Sequence, residues 1–191
     1  MVGYDHQFGK NREGTLKHLQ KLSENLSFEV IEIPAHEVDE INVSSTKIRK
    51  AIEIGDVQTA NNYLNEPFEI SGKVVLGNQI GRTIGFPTAN IEVDDALKII
   101  PAIGVYAVEI VLADQRKLEG MMNIGIRPTV TDSEEIKIEV FIFDFSELIY
   151  DQRIKVYLLQ RIRGEHRFQS LEVLRAQLQE DEKTVRSIFS H

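Results

Sequence analysis

Five segments between residues 68 and 161 carry alternating or β-branched apolar residues, and no helical periodicity separates them. Segments of this length and composition predict β-strands, joined here by turns rich in Gly, Asp and Asn. Several strands in succession without intervening helices favour an antiparallel barrel or sandwich over a parallel α/β sheet. The predicted strands are 68–76, 104–112, 117–126, 136–145 and 153–161.

A long helical pattern follows the last of these strands. Apolar residues recur at helical spacing over 170–189, which predicts one amphipathic helix. Its apolar face would pack on the barrel. The apolar positions are Leu171, Leu174, Leu178, Val185, Ile188 and Phe189.

Residues 1 to about 65 have a different pattern, in which helices and strands alternate. Leucines at helical spacing predict a helix over 12–26, and alternation predicts a short strand over 28–33. Two further helices are predicted over 44–54 and 56–64, because Ser, Thr and Asp are favoured N-cap residues. This is α/β material, but it is too little for a complete nucleotide-binding domain.

Length and pattern together divide the chain into two parts. The 191 residues are enough for one full domain plus part of another. We place the boundary where the pattern changes, which gives a partial α/β segment over 1–66 and a barrel domain over 67–191.

Charge and composition exclude several classes of function. The formal net charge is −8, whereas a general nucleic-acid binder needs a cationic surface that displaces counterions. A nucleotide ligand is not excluded, since backbone N–H groups, a few basic side chains and a metal ion hold small phosphates. The sequence has no Cys, so it forms neither disulfides nor thiolate metal sites. It shows no signal-peptide pattern and no apolar stretch of bilayer length, so we expect a soluble cytoplasmic protein that binds neither membrane nor nucleic acid.

A glycine-rich stretch follows the first predicted strand. Gly77, Gly81 and Gly85 lie four residues apart, and glycine both permits positive φ and lets a ligand approach the backbone closely. The same spacing is typical of an ordinary hairpin connection, and the glycines alone favour that interpretation. The stretch is not a Walker A loop, because it lacks the Gly-Lys-Ser/Thr ending.

Polar residues beside these glycines suit a nucleotide phosphate. Arg82 could neutralise phosphate charge. Thr88 and Asn90 follow the stiff Pro87 and are two positions apart, so their side chains point the same way from an extended chain. Hydroxyl and amide oxygens suit Mg²⁺, which takes its remaining ligands from water and phosphates.

One carboxylate lies within a predicted strand that is apolar on both faces. Alternation over 136–145 puts Glu139 on the same face as Lys137, Phe141 and Phe143. A charged group in such surroundings needs a partner or a function. The spacing alone favours a pair with Lys137 or a place at a solvated sheet edge.

The stretch Gly81-Arg82-Thr83-Ile84-Gly85-Phe86-Pro87-Thr88-Ala89-Asn90 resembles the signature of the riboflavin kinase family, in which the Pro-Thr-Ala-Asn run is distinctive. The resemblance implies an antiparallel Greek-key β-barrel for the second part of the chain. It also implies that Thr88 and Asn90 bind the metal and the nucleotide phosphates, beneath a loop that covers ATP. The loop residues with this implied role are Gly77, Gly81, Arg82 and Gly85.

The run Glu139-Val140-Phe141-Ile142-Phe143-Asp144-Phe145 resembles a second string of that family, which begins Glu-x-His and ends Asp-Phe. The Glu is the family's catalytic base, which implies that role for Glu139, while Phe141 replaces the usual His. The implied reaction is Mg²⁺-dependent transfer of the γ-phosphate of ATP to the ribityl 5′-hydroxyl of riboflavin, giving FMN and ADP.

The segment 161–168 is similar to a family segment that leads into the C-terminal helix and borders the flavin. The resemblance implies that Arg163, Glu165 and Phe168 contact riboflavin, whose planar ring needs apolar walls and a few polar contacts at its edge. As plain chemistry, the same basic cluster also fits a solvated loop.

Two strings in the first part resemble the adenylyltransferase module of bacterial bifunctional riboflavin kinase/FMN adenylyltransferase, also called FAD synthetase. One runs through 3–14, and the other is Ser44-Ser45-Thr46-Lys47-Ile48-Arg49, which in that family opens a helix facing nucleotide phosphates. The His-x-Gly-His-type motif of that module does not occur. We therefore expect adenylyl transfer to FMN to be lost. The segment would then be a structural appendage whose exposed apolar surface favours a homo-oligomer.

Two other interpretations are open. A non-catalytic flavin- or nucleotide-binding remnant of a bifunctional enzyme is slightly favoured by Phe141 and disfavoured by the presence of Thr88, Asn90 and Glu139. An oligonucleotide-binding barrel is the second, since small Greek-key barrels often have that role. The net charge disfavours it, as does the lack of a strand face that combines aromatic and basic residues.

Overall fold

The computed structural model describes residues 2–3, 7–33, 37–38, 41–77, 80–128 and 134–190. They belong to two compact units, Met1–Ser44 and Ser45–His191. Among the residues described, no helix combines the length and the apolar composition that crossing a membrane requires.

The first unit has a small α/β arrangement. Strands β1 (Val2–Gly3) and β2 (Glu32–Ile33) pair in parallel, and helix α1 (Leu16–Asn25) separates them in the sequence. Parallel strands need a long connection, and a helix commonly supplies it. Strands β3 (Glu37–Val38) and β4 (Ile41–Asn42) form a short antiparallel pair. The strand predicted over 28–33 is thus limited to its last two residues.

Six strands close into a barrel within the described part of the second unit. They are β5 (Phe68–Val75), β6 (Ala89–Val93), β7 (Gly104–Val111), β8 (Lys117–Pro128), β9 (Glu134–Ile142) and β10 (Arg153–Arg163). Neighbours are antiparallel, in the order β10-β5-β6-β9-β8-β7. Strand β10 returns to lie beside β7 of the β7-β8-β9 meander, which is a Greek-key connection. The predicted antiparallel Greek-key barrel is confirmed.

The sequence prediction missed one strand, β6. Its first two residues belong to the stretch that was interpreted as a phosphate-binding loop. It pairs with β5 from Asn90 to Val93, but with β9 only at Ala89↔Val140 and Asn90↔Glu139. A five-residue strand directly after a Gly- and Pro-containing turn gives too short an alternation to be distinguished from a loop.

The barrel interior is filled by side chains that alternate inward along the strands. The alternation predicted for β9 is confirmed, because Ile138, Val140 and Ile142 are all buried in this core. Each large apolar side chain buried in this way contributes about 1.5–3 kcal/mol to folding. Fully buried members from the other strands include Ile70, Tyr106, Met122 and Leu158.

The outer face of the barrel carries a second apolar cluster, covered by helix α5 (Leu171–Phe189). Val105 and Met121 point outward from β7 and β8 and pack in this cluster with Val185 of α5. They are sequence neighbours of interior residues, so the two faces of each strand serve two different apolar clusters. The predicted amphipathic C-terminal helix is confirmed.

An ion pair fastens α5 to the barrel. Arg163, at the end of β10, donates from Nε and Nη2 to the carboxylate of Asp181 at 2.7 to 3.0 Å. Asp181 is 2% exposed and also accepts a hydrogen bond from Gln177 at 2.9 Å. A carboxylate so deeply buried is tolerated because its charge is paired and its oxygens are hydrogen-bonded.

Helices α2 (Ser45–Glu53) and α3 (Val57–Leu64) belong to the second unit and pack against the barrel core. Asn61 of α3 donates to the carbonyl of Leu158 and accepts the N–H of Phe68, both at 2.8 Å. These bonds join α3 to two strands at once. The domain boundary predicted between residues 66 and 67 stays a prediction, while the compact unit begins 22 residues earlier, at residue 45 and not at residue 67.

Replacing Asp181 with Ala should destabilise the protein strongly. Arg163, whose side chain is 16% exposed, would keep its charge without its carboxylate partner. Breaking a buried ion pair by removing one partner costs about 3–5 kcal/mol, so we expect a loss of about 3 kcal/mol in the free energy of unfolding measured by urea titration. Glu180→Ala is the matched control, because the Glu180–Lys183 pair is exposed and such pairs contribute about 0–1 kcal/mol. Equal losses in the two variants would contradict the role given to Asp181.

Candidate active site

The glycine-rich stretch folds into one turn of helix, α4 (Ile80–Thr83), followed by a tight turn that leads into β6. The N–H of Phe86 donates to the carbonyl of Gly81 at 2.8 Å and closes this turn. A Cβ on Gly81 would lie 2.2 Å from the Phe86 carbonyl oxygen. Gly85 has a φ of 86°, the left-handed conformation that favours glycine. The protein's own packing therefore accounts for both glycines.

Three polar side chains form a row across the outer face of the barrel. Asn90 on β6, Glu139 on β9 and Asn123 on β8 are register partners on adjacent strands. Their sequence neighbours Met122 and Val140 fill the barrel interior, so this row faces outward. Antiparallel pairing thus brings the Asn of the glycine-rich stretch next to the predicted catalytic base.

Asn90 is the buried end of this row. It is 7% exposed, and its Oδ1 has no hydrogen-bond partner among the residues described. Gly77 packs directly against it, because a Cβ on Gly77 would lie 1.9 Å from the Asn90 Nδ2. A buried oxygen without a partner costs about 1–3 kcal/mol, and a hard cation would satisfy it.

The donor set in this region suits Mg²⁺ better than a transition metal. Within the described ranges, no group of three or more His, Asp or Glu side chains could hold a metal ion. Mg²⁺ does not need such a group, since it keeps several waters and takes phosphate oxygens as ligands. The unpaired oxygen of Asn90 therefore fits the predicted ion.

A cavity of about 320 Å³, here named the Glu139 cavity, lies against Glu139 and Asn123 of the polar row, the α4 turn and helix α5, while Asn90 is outside its lining. Sites for small molecules are typically roughly 300–1,000 Å³. The cavity brings together residues that the sequence places on six separate segments. The predicted site residues in its lining are Gly81, Thr88, Glu139, Arg163, Glu165 and Phe168.

A second cavity of about 300 Å³, here named the Arg82 cavity, has a different lining. Arg82 and Thr88 contribute to it from the stretch before β6, and the segment 145–150 after β9 forms another part of its wall. Thr88 is the residue that lines both cavities. The two cavities therefore meet at this threonine.

Lys137 pairs with Glu139 at 2.7 Å from the same face of β9. This is the pairing that the spacing alone favoured. Both side chains are between one quarter and one third exposed, and both line the Glu139 cavity. The ammonium group thus fixes the carboxylate in the cavity wall without closing it off from a ligand.

Aromatic rings continue the wall beside Glu139. Phe86 and Phe141 meet edge to face with ring centroids 5.0 Å apart, and Phe141 meets Phe143 in the same way at 5.7 Å. Such contacts add to the apolar burial of the rings. Phe141, which stands where the riboflavin kinase family usually has His, therefore belongs to an aromatic row.

The side chains predicted to contact the flavin differ in how many hydrogen bonds they already make within the protein. The guanidinium of Arg163 is bonded to Asp181 and to the Gly164 carbonyl, and it lies 5.7 Å from the ring centroid of Phe168. Each of its three nitrogens therefore already donates a hydrogen bond within the protein, which fixes the orientation of the guanidinium beside Phe168. Glu165 and Phe168 both line the Glu139 cavity beside it.

Several lining residues were missed by sequence reasoning. His166, Leu174 and Leu178 contribute to the Glu139 cavity, and residues 145–150 contribute to the Arg82 cavity. The two leucines were recognised as apolar positions of the helix, a signal that does not distinguish core from cavity wall. Nothing in the composition of 145–150 separates it from a surface loop.

The family-like strings of the first part lie elsewhere. Ser45, Thr46 and Arg49 are exposed on the first turns of α2, directly after Ser44. None of these four residues lines either cavity. Residues 4–6 of the other string lie outside the described residues.

Ion pairs hold both ends of the segment that follows β9. Asp144 accepts hydrogen bonds from Arg186 of α5 at 2.9 and 3.1 Å, and these bonds lower its pKa below the ordinary value. Asp151 pairs with Lys73 of β5 at 2.6 Å. Both aspartates have positive φ, 53° and 64°, so the chain turns sharply at each end of the segment.

The middle of the segment is held from another direction. Arg116, on the turn between β7 and β8, donates from its two Nη atoms to the two oxygens of Glu147 at 2.6 and 2.7 Å. This hydrogen bonding lowers the pKa of Glu147. Three elements of the barrel unit thus set the position of this part of the cavity wall.

Comparison with known sequences identifies the family. The sequence model of riboflavin kinase matches residues 64–189, which is well over half of the chain. The chain belongs to the riboflavin kinase family. The match includes the whole barrel, both cavities and α5, so the riboflavin kinase resemblance seen in the sequence is confirmed. The sequence model of FAD synthetase matches residues 1–47.

Curated relatives match nearly the whole chain. A bifunctional riboflavin kinase/FMN adenylyltransferase from Haemophilus influenzae is 39% identical over 189 residues, which are 99% of this chain and 60% of that protein. One of the same name from Escherichia coli is 40% identical over 188 residues, which are 98% of this chain and 59% of that protein. The chain thus spans about three fifths of the length of these relatives.

A solved structure has the same fold. The crystal structure described as a macrolide-efflux protein from Streptococcus pneumoniae is 40% identical, with a TM-score of 0.84. The likeness covers 96% of this chain and 58% of that chain. The fold of this riboflavin kinase family member is therefore shared along almost its full length.

Asp144→Asn should lower stability at neutral pH but not at acid pH. Asn tolerates the left-handed conformation at this position, so the change removes charge and keeps the backbone. Because Arg186 lowers the pKa of Asp144, its stabilising effect is full above the pKa of an unfolded Asp, roughly 3.9. The effect is lost as the pH falls through the lower pKa of the folded state.

We expect the Tm of Asp144→Asn, measured by circular dichroism, to lie below that of the parent at pH 7. The two values should converge as the pH falls through the pKa of the folded state, below which the carboxyl is protonated in both states. A difference in Tm that persists unchanged at low pH would contradict the ion pair as its cause.

Proposed function

We propose that this chain is a riboflavin kinase, which transfers the γ-phosphate of ATP to the ribityl 5′-hydroxyl of riboflavin and forms FMN and ADP. The observation that carries the proposal is that two cavities of small-molecule size meet at Thr88, and one of them contains Glu139. Transfer between two substrates needs adjacent sites, with a base on the acceptor side. Membership of the riboflavin kinase family supports the same reaction.

The Glu139 cavity suits riboflavin. Phe86, Phe141 and Phe168 supply aromatic surface, and Leu174 and Leu178 of α5 add apolar surface. A planar ring system gains from burial against such walls, with a few polar contacts at its edge. In this arrangement the ribityl chain points toward Glu139, where its terminal hydroxyl meets the base.

The Arg82 cavity suits the nucleotide. Arg82 offers a fixed positive charge with several N–H donors for phosphate oxygens. Ile149 and Tyr150, from the wall segment, give apolar surface for a base. The phosphates extend toward Thr88, so the γ-phosphate reaches the point where the two cavities meet.

Glu139 orients the acceptor hydroxyl and takes its proton as the new P–O bond forms. Lys137 keeps the carboxylate in place at 2.7 Å. Leu174 and Leu178 of α5, with Phe86 and Phe141 of the aromatic row, make the wall around Glu139 largely apolar, which reduces the amount of water beside the base. Phosphoryl transfer demands mainly positioning and charge neutralisation, and these residues supply the positioning.

Thr88 and Asn90 would hold Mg²⁺. The buried, unpaired Oδ1 of Asn90 supports this role, and Thr88 lies where the phosphates of the donor are expected. When bound, the ion neutralises charge on the phosphoryl oxygens.

Adenylyl transfer from ATP to FMN is not expected from this chain alone. The His-x-Gly-His-type motif of the adenylyltransferase module does not occur in the sequence, and the FAD synthetase model matches residues 1–47. The main alternative to the kinase is a remnant that binds riboflavin in the same cavity without turnover. The experiments below separate these cases.

Glu139→Gln should abolish FMN formation while riboflavin still binds. Gln has the same shape but does not accept the proton, so we expect kcat to fall by at least about 100-fold with Tm near the parent value. Flavins formed from riboflavin and Mg²⁺-ATP are separated by chromatography. Glu119→Gln is the matched control, an exposed Glu→Gln change on β8 outside both cavities.

The flavins that the parent protein forms from riboflavin and Mg²⁺-ATP distinguish the kinase, the non-catalytic remnant and adenylyl transfer. FMN without FAD supports the kinase and the absence of adenylyl transfer. Riboflavin binding without FMN would favour the non-catalytic remnant. FAD in the products would contradict the inference about adenylyl transfer.

Asn90→Leu should raise the Mg²⁺ requirement of the reaction without lowering the stability of the fold. Removing a buried amide oxygen that has no hydrogen-bond partner, in exchange for an apolar group of similar size, relieves its desolvation cost, so we expect an unchanged or higher Tm. The Mg²⁺ concentration for half-maximal FMN formation should rise by more than about tenfold, because an oxygen ligand is lost. An unchanged Mg²⁺ requirement would rule out Asn90 as a ligand.

A further inference from the structure

We propose that Arg116 is a positioning residue for the nucleotide, acting through Glu147 on the wall of the Arg82 cavity. This inference rests on the proposed function, which assigns that cavity to ATP. Arg116 does not line either cavity. It belongs to the turn between β7 and β8, and no sequence motif indicated a function for this turn.

The side chain of Arg116 is oriented by its own turn. Asp114 accepts the Arg116 backbone N–H at 3.0 Å and its Nε at 2.7 Å. The N–H of Leu112 donates to the Arg116 carbonyl at 3.0 Å, which closes the turn. With Nε already bonded, the two Nη atoms are left as a planar fork aimed away from the turn.

This fork meets the cavity wall at two residues. Its two Nη atoms donate to the two oxygens of Glu147 at 2.6 and 2.7 Å, a bidentate geometry. The guanidinium carbon also lies 5.9 Å from the ring centroid of Phe145. Glu147 and Phe145 both line the Arg82 cavity, so one side chain outside the cavity fixes two members of its wall.

Ser146, Glu147 and Leu148 form an exposed stretch at the middle of the wall, between Phe145 and Ile149, which both pack on the barrel core. Leu148 is 75% exposed, and Ile149 is the buried residue beside it. The pairs of Asp144 and Asp151 act at the two ends of the segment. A segment with exposed side chains and few buried contacts opens easily, so a bidentate pair at its middle has a large effect on its order.

The expected effect is on binding and not on overall stability. Arg116, Asp114 and Glu147 are each about half exposed, and exposed pairs add little to the free energy of unfolding. If the cavity wall is already ordered in the free protein, nucleotide binding does not incur the entropic cost of ordering it, and the affinity for the nucleotide is higher. Loss of the fork should therefore weaken nucleotide binding by about three- to tenfold.

The test compares Arg116→Gln, Glu147→Gln and the double variant with the full-length parent chain. Lys117→Gln is the matched control, because Lys117 follows on the same hairpin but pairs with Glu109 at 3.1 Å, outside both cavities. The measurements are kcat, KM for Mg²⁺-ATP, KM for riboflavin and Tm.

We expect each single variant to raise KM for ATP by about three- to tenfold, with KM for riboflavin and Tm near the parent values. The double variant should be no worse than the single variants, because both remove the same contact. Arg116→Lys keeps the positive charge but loses the bidentate geometry, so its KM for ATP should lie between those of the parent and Arg116→Gln. Lys117→Gln should match the parent.

Several results would overturn the inference. One is a KM for ATP in Arg116→Gln equal to that of the control Lys117→Gln. Another is a KM for ATP in the double variant raised by the product of the two single-variant factors. A third is an equal rise in the KM values for ATP and riboflavin together with a lower Tm. Calorimetric titration with ADP keeps the test independent of turnover. If the parent binds ADP but makes no FMN, the proposed function fails, and the ADP affinities of the variants still decide the role of Arg116. A parent that binds no ADP overturns the inference.

Discussion

Strands β6 and β9 are joined by two residue pairs, and the geometry of the site depends on this short contact. Ala89↔Val140 and Asn90↔Glu139 close the barrel between them. Val140 fills the interior, so its neighbour Glu139 must face outward. A register shift of one residue would bury the carboxylate in the apolar core and expose the valine. The packing of the core therefore also sets the position of the proposed base beside the proposed metal ligand.

Helix α5 links stability to the site in a similar way. Leu174 and Leu178 line the Glu139 cavity, while Val185 packs in the apolar cluster on the outer barrel. The buried pair of Arg163 and Asp181 fastens the same helix to β10. Arg163 was expected to contact the flavin, and the structure shows it bonded to α5. Arg163 thus lines the cavity and also holds the helix that forms one side of it, while its contact with the flavin stays a prediction.

The sequence predicted those features that depend on local periodicity and short motifs. Alternation located five of the barrel strands, and Asp56 caps α3 by accepting the Thr59 N–H at 3.1 Å, as its residue type indicated. Family-like strings selected Thr88 and Glu139, which line one cavity together. Features set by distant partners were not predictable. The segment 145–150 is held in the cavity wall by residues that are distant in the sequence. Arg116 is 31 positions from its partner Glu147, and Arg186 is 42 positions from Asp144, which directly precedes the segment. No local sequence pattern indicates such pairs.

The single residue shared by the two cavities has a consequence for the order of events. Under the proposed function, substrates in two cavities that share Thr88 would lie next to each other, so the acceptor oxygen would approach the γ-phosphorus directly, in line. Direct approach requires both substrates to be present together, so the steady-state rate law is sequential and not ping-pong. Displacement in one step also inverts the configuration at phosphorus. The configuration of a chirally labelled phosphate in the product would thus distinguish direct transfer from a two-step route through a group on the protein.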